Sequence, residues 1–277
     1  MKKTTFNSAY ALVILAFGFI LIPASMAHDG IKHNTVKTVT VDNITVYGES
    51  YFADLGPNTP LILLFHQAGS NGRGEYEDLI PWLNESGYRV IAWDQRSGGS
   101  HFGGTNRTVG NLSDGMKFSY CDTRPDLQAA HDYVIKNNLA KDMIIWGSSY
   151  SAALVFGLAA DNPDTIGGVV SYSPATGDAM AKCRAKEWLE QTKGMMIYTA
   201  RPTSELASER AQQQKALFAT YDIPVKEIVD GVHGSSALVD SRTGHDMSKY
   251  RKHVQRVLYY MTLSMETGEI DAQSLKK

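Results

Sequence analysis

Along the chain, short unbroken apolar runs alternate with longer stretches in which apolar residues return every three or four positions. The runs at 61–65, 90–93, 143–146, 169–172, 195–199 and 225–229 have the length of strands. Most are continuous apolar runs, which suits strands covered on both faces and hence a largely parallel sheet. Between them, Tyr76, Leu79, Ile80 and Leu83 fall at i, i+3, i+4 and i+7, as do Val254, Val257, Leu258 and Met261. Leu127, Ala130 and Val134 repeat the pattern more weakly, and 206–218 is an Ala- and Gln-rich helical stretch. Strands alternating with helices of this length predict an α/β domain with helices on both faces of the sheet.

Residues 35–52 behave differently. The alternation in "VKTVTV" and "ITVYGESYF" predicts an antiparallel hairpin at the sheet edge, turning at Asp42-Asn43. The expected architecture is a mixed sheet, antiparallel at its start and parallel afterwards. Reactive groups in such sheets gather at the carboxyl ends of the strands.

The first 27 residues change the picture of where this domain works. Lys2 and Lys3, the apolar segment 11–22 and the small residues Ser25-Met26-Ala27 have the three-part layout of an export signal. The apolar segment is far shorter than the roughly 20 residues a membrane span needs. Cleavage after Ala27 is expected, giving a signal peptide at 1–27 and one catalytic domain at 28–277, exported to the periplasm or secreted. The first cysteine is Cys121, so no lipid anchor is expected on the mature chain. Without Lys2 and Lys3 the net charge is about −4, which offers no electrostatic reason to bind nucleic acid or an anionic membrane. Cys121 and Cys183 either form a disulfide, which would persist in an exported protein, or stay as two buried thiols.

The densest chemistry lies in "IIWGSSYSAAL", 144–154, where a predicted strand runs through Gly147 and three hydroxyl residues into a helix. Gly147-Ser148-Ser149-Tyr150-Ser151 matches the G-x-S-x-G nucleophile elbow at four of five positions. A tight turn with a strained central serine needs small residues two before and two after it. That frame selects Ser149. The competing reading is that these hydroxyls only cap the helix.

With "LILLFHQAGSN", "VIAWDQRSGGS", "GSSYSAAL" and "VHGSSAL", the chain resembles the α/β-hydrolase superfamily, and more narrowly its dienelactone-hydrolase-like branch. The resemblance implies an α/β-hydrolase fold in which a serine stands where dienelactone hydrolases proper use cysteine. It departs from the family at Ser151, where the elbow has Gly. The fold's order of Ser, acid, His along the chain assigns the base to His233, four residues past the last strand. His66, His131 and His245, the last of which is expected to start the final helix, are expected to be structural or on the surface. Glu205, in "ARPTSEL", is the expected acid, and Asp178 the alternative.

The resemblance further implies an oxyanion hole from the backbone amides of Gln67 and Tyr150, with Asp94, Arg96 and Gly98 as structural support. Arg201 is expected in solvent, with a contact to the acid or the substrate as the alternative. His28 and His33 are a weak metal pair, the basic face Lys249, Arg251, Lys252 and Arg256 is a solvated surface, and Phe118, Tyr120, Tyr172 and Trp188 are core residues or pocket lining. Few residues lie between the sixth and seventh strands, so the lid is minimal. The expected function is hydrolysis of a small or exposed carboxylic ester by an exported serine hydrolase, with no cofactor. Amide or short-peptide hydrolysis and a silent binding protein are the alternatives.

Overall fold

The computed structural model of the protein describes residues 32–52, 54–269 and 275. The expected leader lies outside them. Among the described residues, eight strands form one sheet: β1 (Asn34–Val39), β2 (Thr45–Tyr51), β3 (Leu61–Phe65), β4 (Arg89–Asp94), β5 (Met143–Ser148), β6 (Ile166–Tyr172), β7 (Ile197–Pro202) and β8 (Val225–Ile228). Their order is β1-β2-β4-β3-β5-β6-β7-β8. Only the β1–β2 and β2–β4 pairs are antiparallel, and β3 to β8 run parallel. The hairpin thus sits at the edge, turning through Asn43 at φ +63°.

The runs of the central strands β3 to β7 are buried because the sheet is covered twice, whereas β8, at the edge, is only partly covered. The helices are α1 (Gly72–Tyr76), α2 (Ile80–Glu85), α3 (Arg107–Gly110), α4 (Arg124–Lys136), α5 (Tyr150–Asp161), α6 (Glu209–Ala219), α7 (Asp240–Thr243) and α8 (Ser248–Thr267). Ile62, Leu64, Ile144, Trp146 and Val170 pack with Leu83, Val254, Leu258 and Met261 on one face. Leu61, Leu63, Ile145 and Val169 pack with Leu127, Val134, Leu154 and Phe156 on the other. Alternate residues of the same strand feed different cores, and this is why the central strands β3 and β5 carry near-continuous apolar runs.

Four expectations shift in detail. The periodic stretch at 76–83 is two short helices, because Pro81 cannot supply an amide inside a helix and instead opens α2. Strand β7 begins two residues later than predicted and continues through Arg201 and Pro202, since it pairs with both β6 and β8. Residues 206–218 divide at Ser208, whose hydroxyl accepts from Ala211 N and caps α6. The last helix starts at Ser248, so His245 precedes it in a turn.

The two cysteines form a disulfide, with Cα atoms 5.6 Å apart. It ties the segment after β4 to the β6–β7 connection, which carries only two single 3₁₀ turns at Asp178–Met180 and Ala185–Trp188. Among the described residues no helix is long and apolar enough to cross a membrane.

Candidate active site

Strand β5 ends in the elbow. Ser149 has φ +59° and ψ −116°, a backbone state that costs an ordinary residue about 1–3 kcal/mol and persists only where the surroundings enforce it. The enforcement is visible: Ser149 N donates to Tyr172 O at 2.9 Å, and Ala175 N donates to Ser149 O at 3.1 Å. A Cβ on Gly147 would collide with the Ser151 carbonyl where strand and helix close up. The Ser149 side chain makes no capping bond to α5, so the helix-cap reading does not describe it.

His233 and Glu205 reach this hydroxyl from two other loops. His233 Nε2 lies 2.8 Å from Ser149 Oγ, and His233 Nδ1 lies 2.6 Å from Glu205 Oε1. With Glu205 ionised, Nδ1 carries the proton and donates to the carboxylate, leaving Nε2 to accept from the serine. The imidazole is half exposed while the carboxylate is mostly covered. Burial alone would raise the Glu205 carboxyl. The hydrogen bond and charge of His233, the Arg201 guanidinium and the Ser173 hydroxyl outweigh it and hold the group below its ordinary range.

Arg201 is buried, contrary to the solvent-exposed position expected for it. It lies on β7, where its Nη1 donates to Glu205 Oε2 at 2.7 Å and its Nη2 donates to Gln214 Oε1 at 2.6 Å and to Pro174 O. Ser173 carries no motif signal in the sequence. Its Oγ donates to Glu205 Oε1 at 3.0 Å and accepts from Gly234 N at 3.1 Å, joining the acid to the histidine loop. Asp178, the alternative acid, is highly exposed and faces Arg184 and Arg210 at 3.6 and 3.4 Å.

The oxyanion expectation changes at one position. Gln67 N donates to Glu75 Oε2 at 3.2 Å, so that amide is turned into the protein and is not available. Among the described residues the amides of Ala68 and Tyr150 have no hydrogen-bond acceptor. They are the free donors beside the elbow. His66, just before them, is wholly buried, with Nδ1 2.7 Å from Gln67 O and Nε2 accepting from Gln95 N. Burial lowers its pKa to about 4, a neutral structural histidine.

The other singled-out residues are structural. Asp94 accepts from Gly72 N and Arg107 N, and Arg96 binds Asp126 and Asp42. His131 is buried against Thr165. Tyr172 is buried and stacks on Trp146, Tyr120 stacks on Tyr150, Arg96 lies over Phe118 and Arg124 over Trp188. On α8, Arg251 pairs with Asp240 at 2.7 Å. His28 lies outside the described residues, and His33 packs near Tyr51. Among the described residues no three His, Cys, Asp or Glu are grouped to hold a metal.

Residues 56–256 match the model of the Hydrolase_4 family, serine aminopeptidase S33, and the chain belongs to that family of the α/β-hydrolase superfamily. It is a serine hydrolase. None of the curated proteins matches the chain. A thermostable carboxyl esterase from Bacillus coagulans, solved with glycerol, is similar in structure, with a TM-score of 0.62, 13% identity and coverage of 84% of this chain and 99% of its own. An esterase of Pyrococcus furiosus gives 0.58, 15%, 83% and 91%. A dienelactone hydrolase of Anabaena variabilis gives 0.59, 14%, 83% and 97%, in keeping with the branch the motifs resemble. At these identities the likeness is one of fold.

Proposed function

We propose that the chain is an exported serine esterase in which Ser149, His233 and Glu205 form the catalytic triad. The observation that carries this reading is the placement of one imidazole between a strained serine and a mostly covered carboxylate, at 2.8 and 2.6 Å. His233 takes the proton from Ser149 Oγ as the oxygen attacks the ester carbonyl, and Glu205 stabilises the imidazolium that forms. The amides of Tyr150 and Ala68 receive the negative oxygen, a contribution of about 3 kcal/mol each. His233 returns the proton to the leaving alcohol, and water then releases the acyl group by the same route.

The family's name raises hydrolysis of an amide at a free N-terminus as the second reading. That reaction needs a carboxylate to hold the substrate's ammonium. Two acids near the site already have cationic partners: Glu205 with His233 and Arg201, Asp178 with Arg184 and Arg210. An ester of small or exposed shape is therefore favoured. The disulfide supports export, since such bonds persist in oxidising compartments.

The test is labelling with a fluorophosphonate probe alongside hydrolysis of matched esters and amides by wild type and Ser149→Ala. Labelling and ester turnover lost in the variant are expected. Labelling that survives the substitution removes Ser149, and turnover of the amides alone replaces the ester reading. N-terminal sequencing of the secreted or periplasmic protein should begin at His28.

A further inference from the structure

Beneath the elbow lies a second carboxylate that the triad does not use. Glu75, on α1, is wholly buried. Burial pushes its carboxyl up, opposed by the bonds from Ser148 and Gln67 and by the nearby charge of Arg242. An acid in such a place is costly unless its oxygens are occupied, and a hydrophobic side chain would fill the space more cheaply. What the acid provides is acceptors. Oε2 receives Gln67 N at 3.2 Å and Oε1 receives Ser148 Oγ at 2.7 Å.

Each of those two bonds ends on a working segment. Gln67 opens the loop after β3, and turning its amide inward leaves that of Ala68 as the free donor. Ser148 is the elbow residue directly before the nucleophile, and its Oγ also accepts from Ser235 N at 3.0 Å, two residues beyond His233. Between them, Gly234 has φ +70° and passes so close that a Cβ there would strike Ser148 Oγ. Gly234 N in turn holds Ser173, which holds Glu205. The helix carrying Glu75 is braced from the same side, because Arg242 donates to Glu75 O at 2.8 Å and Gly74 O at 2.7 Å.

We propose that Glu75 is a positioning residue: its carboxylate, accepting from Gln67 N and Ser148 Oγ, fixes the oxyanion loop and the histidine loop to the nucleophile elbow in one geometry. The proposal rests on the serine-hydrolase reading above. It differs from a merely structural role, which would lower stability and leave each folded molecule equally active.

The experiment compares Glu75→Ala and Glu75→Gln with wild type by thermal melting, by kcat and KM on p-nitrophenyl acetate, and by the rate of fluorophosphonate labelling. In Glu75→Ala, kcat and the labelling rate should fall by about tenfold or more with KM within about twofold, the pattern of lost transition-state support. Glu75→Gln should recover most of that loss, because its amide oxygen accepts from Gln67 N and its NH₂ donates to Ser148 Oγ. A folded Glu75→Ala with wild-type kcat overturns the proposal. So does a Glu75→Gln as slow as Glu75→Ala, since charge rather than the two bonds would then matter.

If Glu75→Ala does not fold, Ser148→Ala cuts the tie at its other end, and an unchanged kcat there is equally fatal. Ester hydrolysis that survives Ser149→Ala sinks the catalytic reading and this proposal together. Loss in Ser149→Ala with none in Glu75→Ala removes this proposal alone.

Discussion

The carboxyl-end corners of β4 and β7 each bury an arginine against carboxylate, yet they do different things. After β4, Arg96 is saturated: its N and Nε donate to Asp126 at 2.7 and 2.8 Å, and Nη1 and Nη2 donate to Asp42 at 2.5 and 2.9 Å. Every charge there is answered by a fixed partner, and the outcome is a rigid corner joining the hairpin turn to α4. At the end of β7, Arg201 occupies only one oxygen of Glu205. The other faces an imidazole that can gain and lose a proton. On the proposed triad, similar ion pairs serve shape in one place and chemistry in the other. The distinction is set by whether an acceptor is left over for a titrating group.

That contrast can be broken in several ways. Replacing Ser149 with Ala should lower kcat by about 10⁶ without unfolding the protein, if β7's carboxylate works through a nucleophile; steady-state kinetics measure it. Glu205→Gln should lower kcat by about 10⁴ by misplacing the imidazole proton, with only a small change in melting temperature. If instead it melts the protein and spares kcat per folded molecule, the two corners are alike.

Smaller effects belong to the fold. Breaking the disulfide with Cys121→Ser/Cys183→Ser should cost about 4 kcal/mol of stability for a loop of 62 residues, read by denaturant unfolding. Asp126→Asn should cost about 3 kcal/mol by leaving Arg96 short of charge, with kcat of the folded fraction retained. The smallest effect is on pH dependence. Because the Glu205 carboxyl is depressed, its stabilising contribution is complete above the ordinary carboxylate value of about 4.3 and fades as pH falls through the lower folded value. A plot of melting temperature against pH should therefore be flatter on its acid side in Glu205→Gln than in wild type.

Much of the fold was legible because strands covered twice leave continuous apolar runs, and those at 61–65 and 143–146 lie within observed strands. The edge hairpin was legible by its alternation. Residues whose placement depends on motif spacing, Ser149 and His233, also stood out. Arg201 did not: an arginine beside a loop looks solvated until β7 is seen to extend over it and Glu205 to face it. Gln67 failed for another reason. Position in the loop indicates which amides are near the nucleophile, but which way each points depends on Glu75, eight residues on and in another element. Ser173 and Glu75 act through contacts between distant segments and carry no local pattern.

The hydroxyl at position 151, where the G-x-S-x-G elbow has glycine, donates to His66 O at 2.6 Å and accepts from Gln95 Nε2 at 2.6 Å. Reverting it to glycine would strip a carbonyl and an amide of their partners deep between three strands. The departure from the motif is thus a local substitution with its own company, and a pattern search demanding glycine there would pass over any homologue that adopted the same solution.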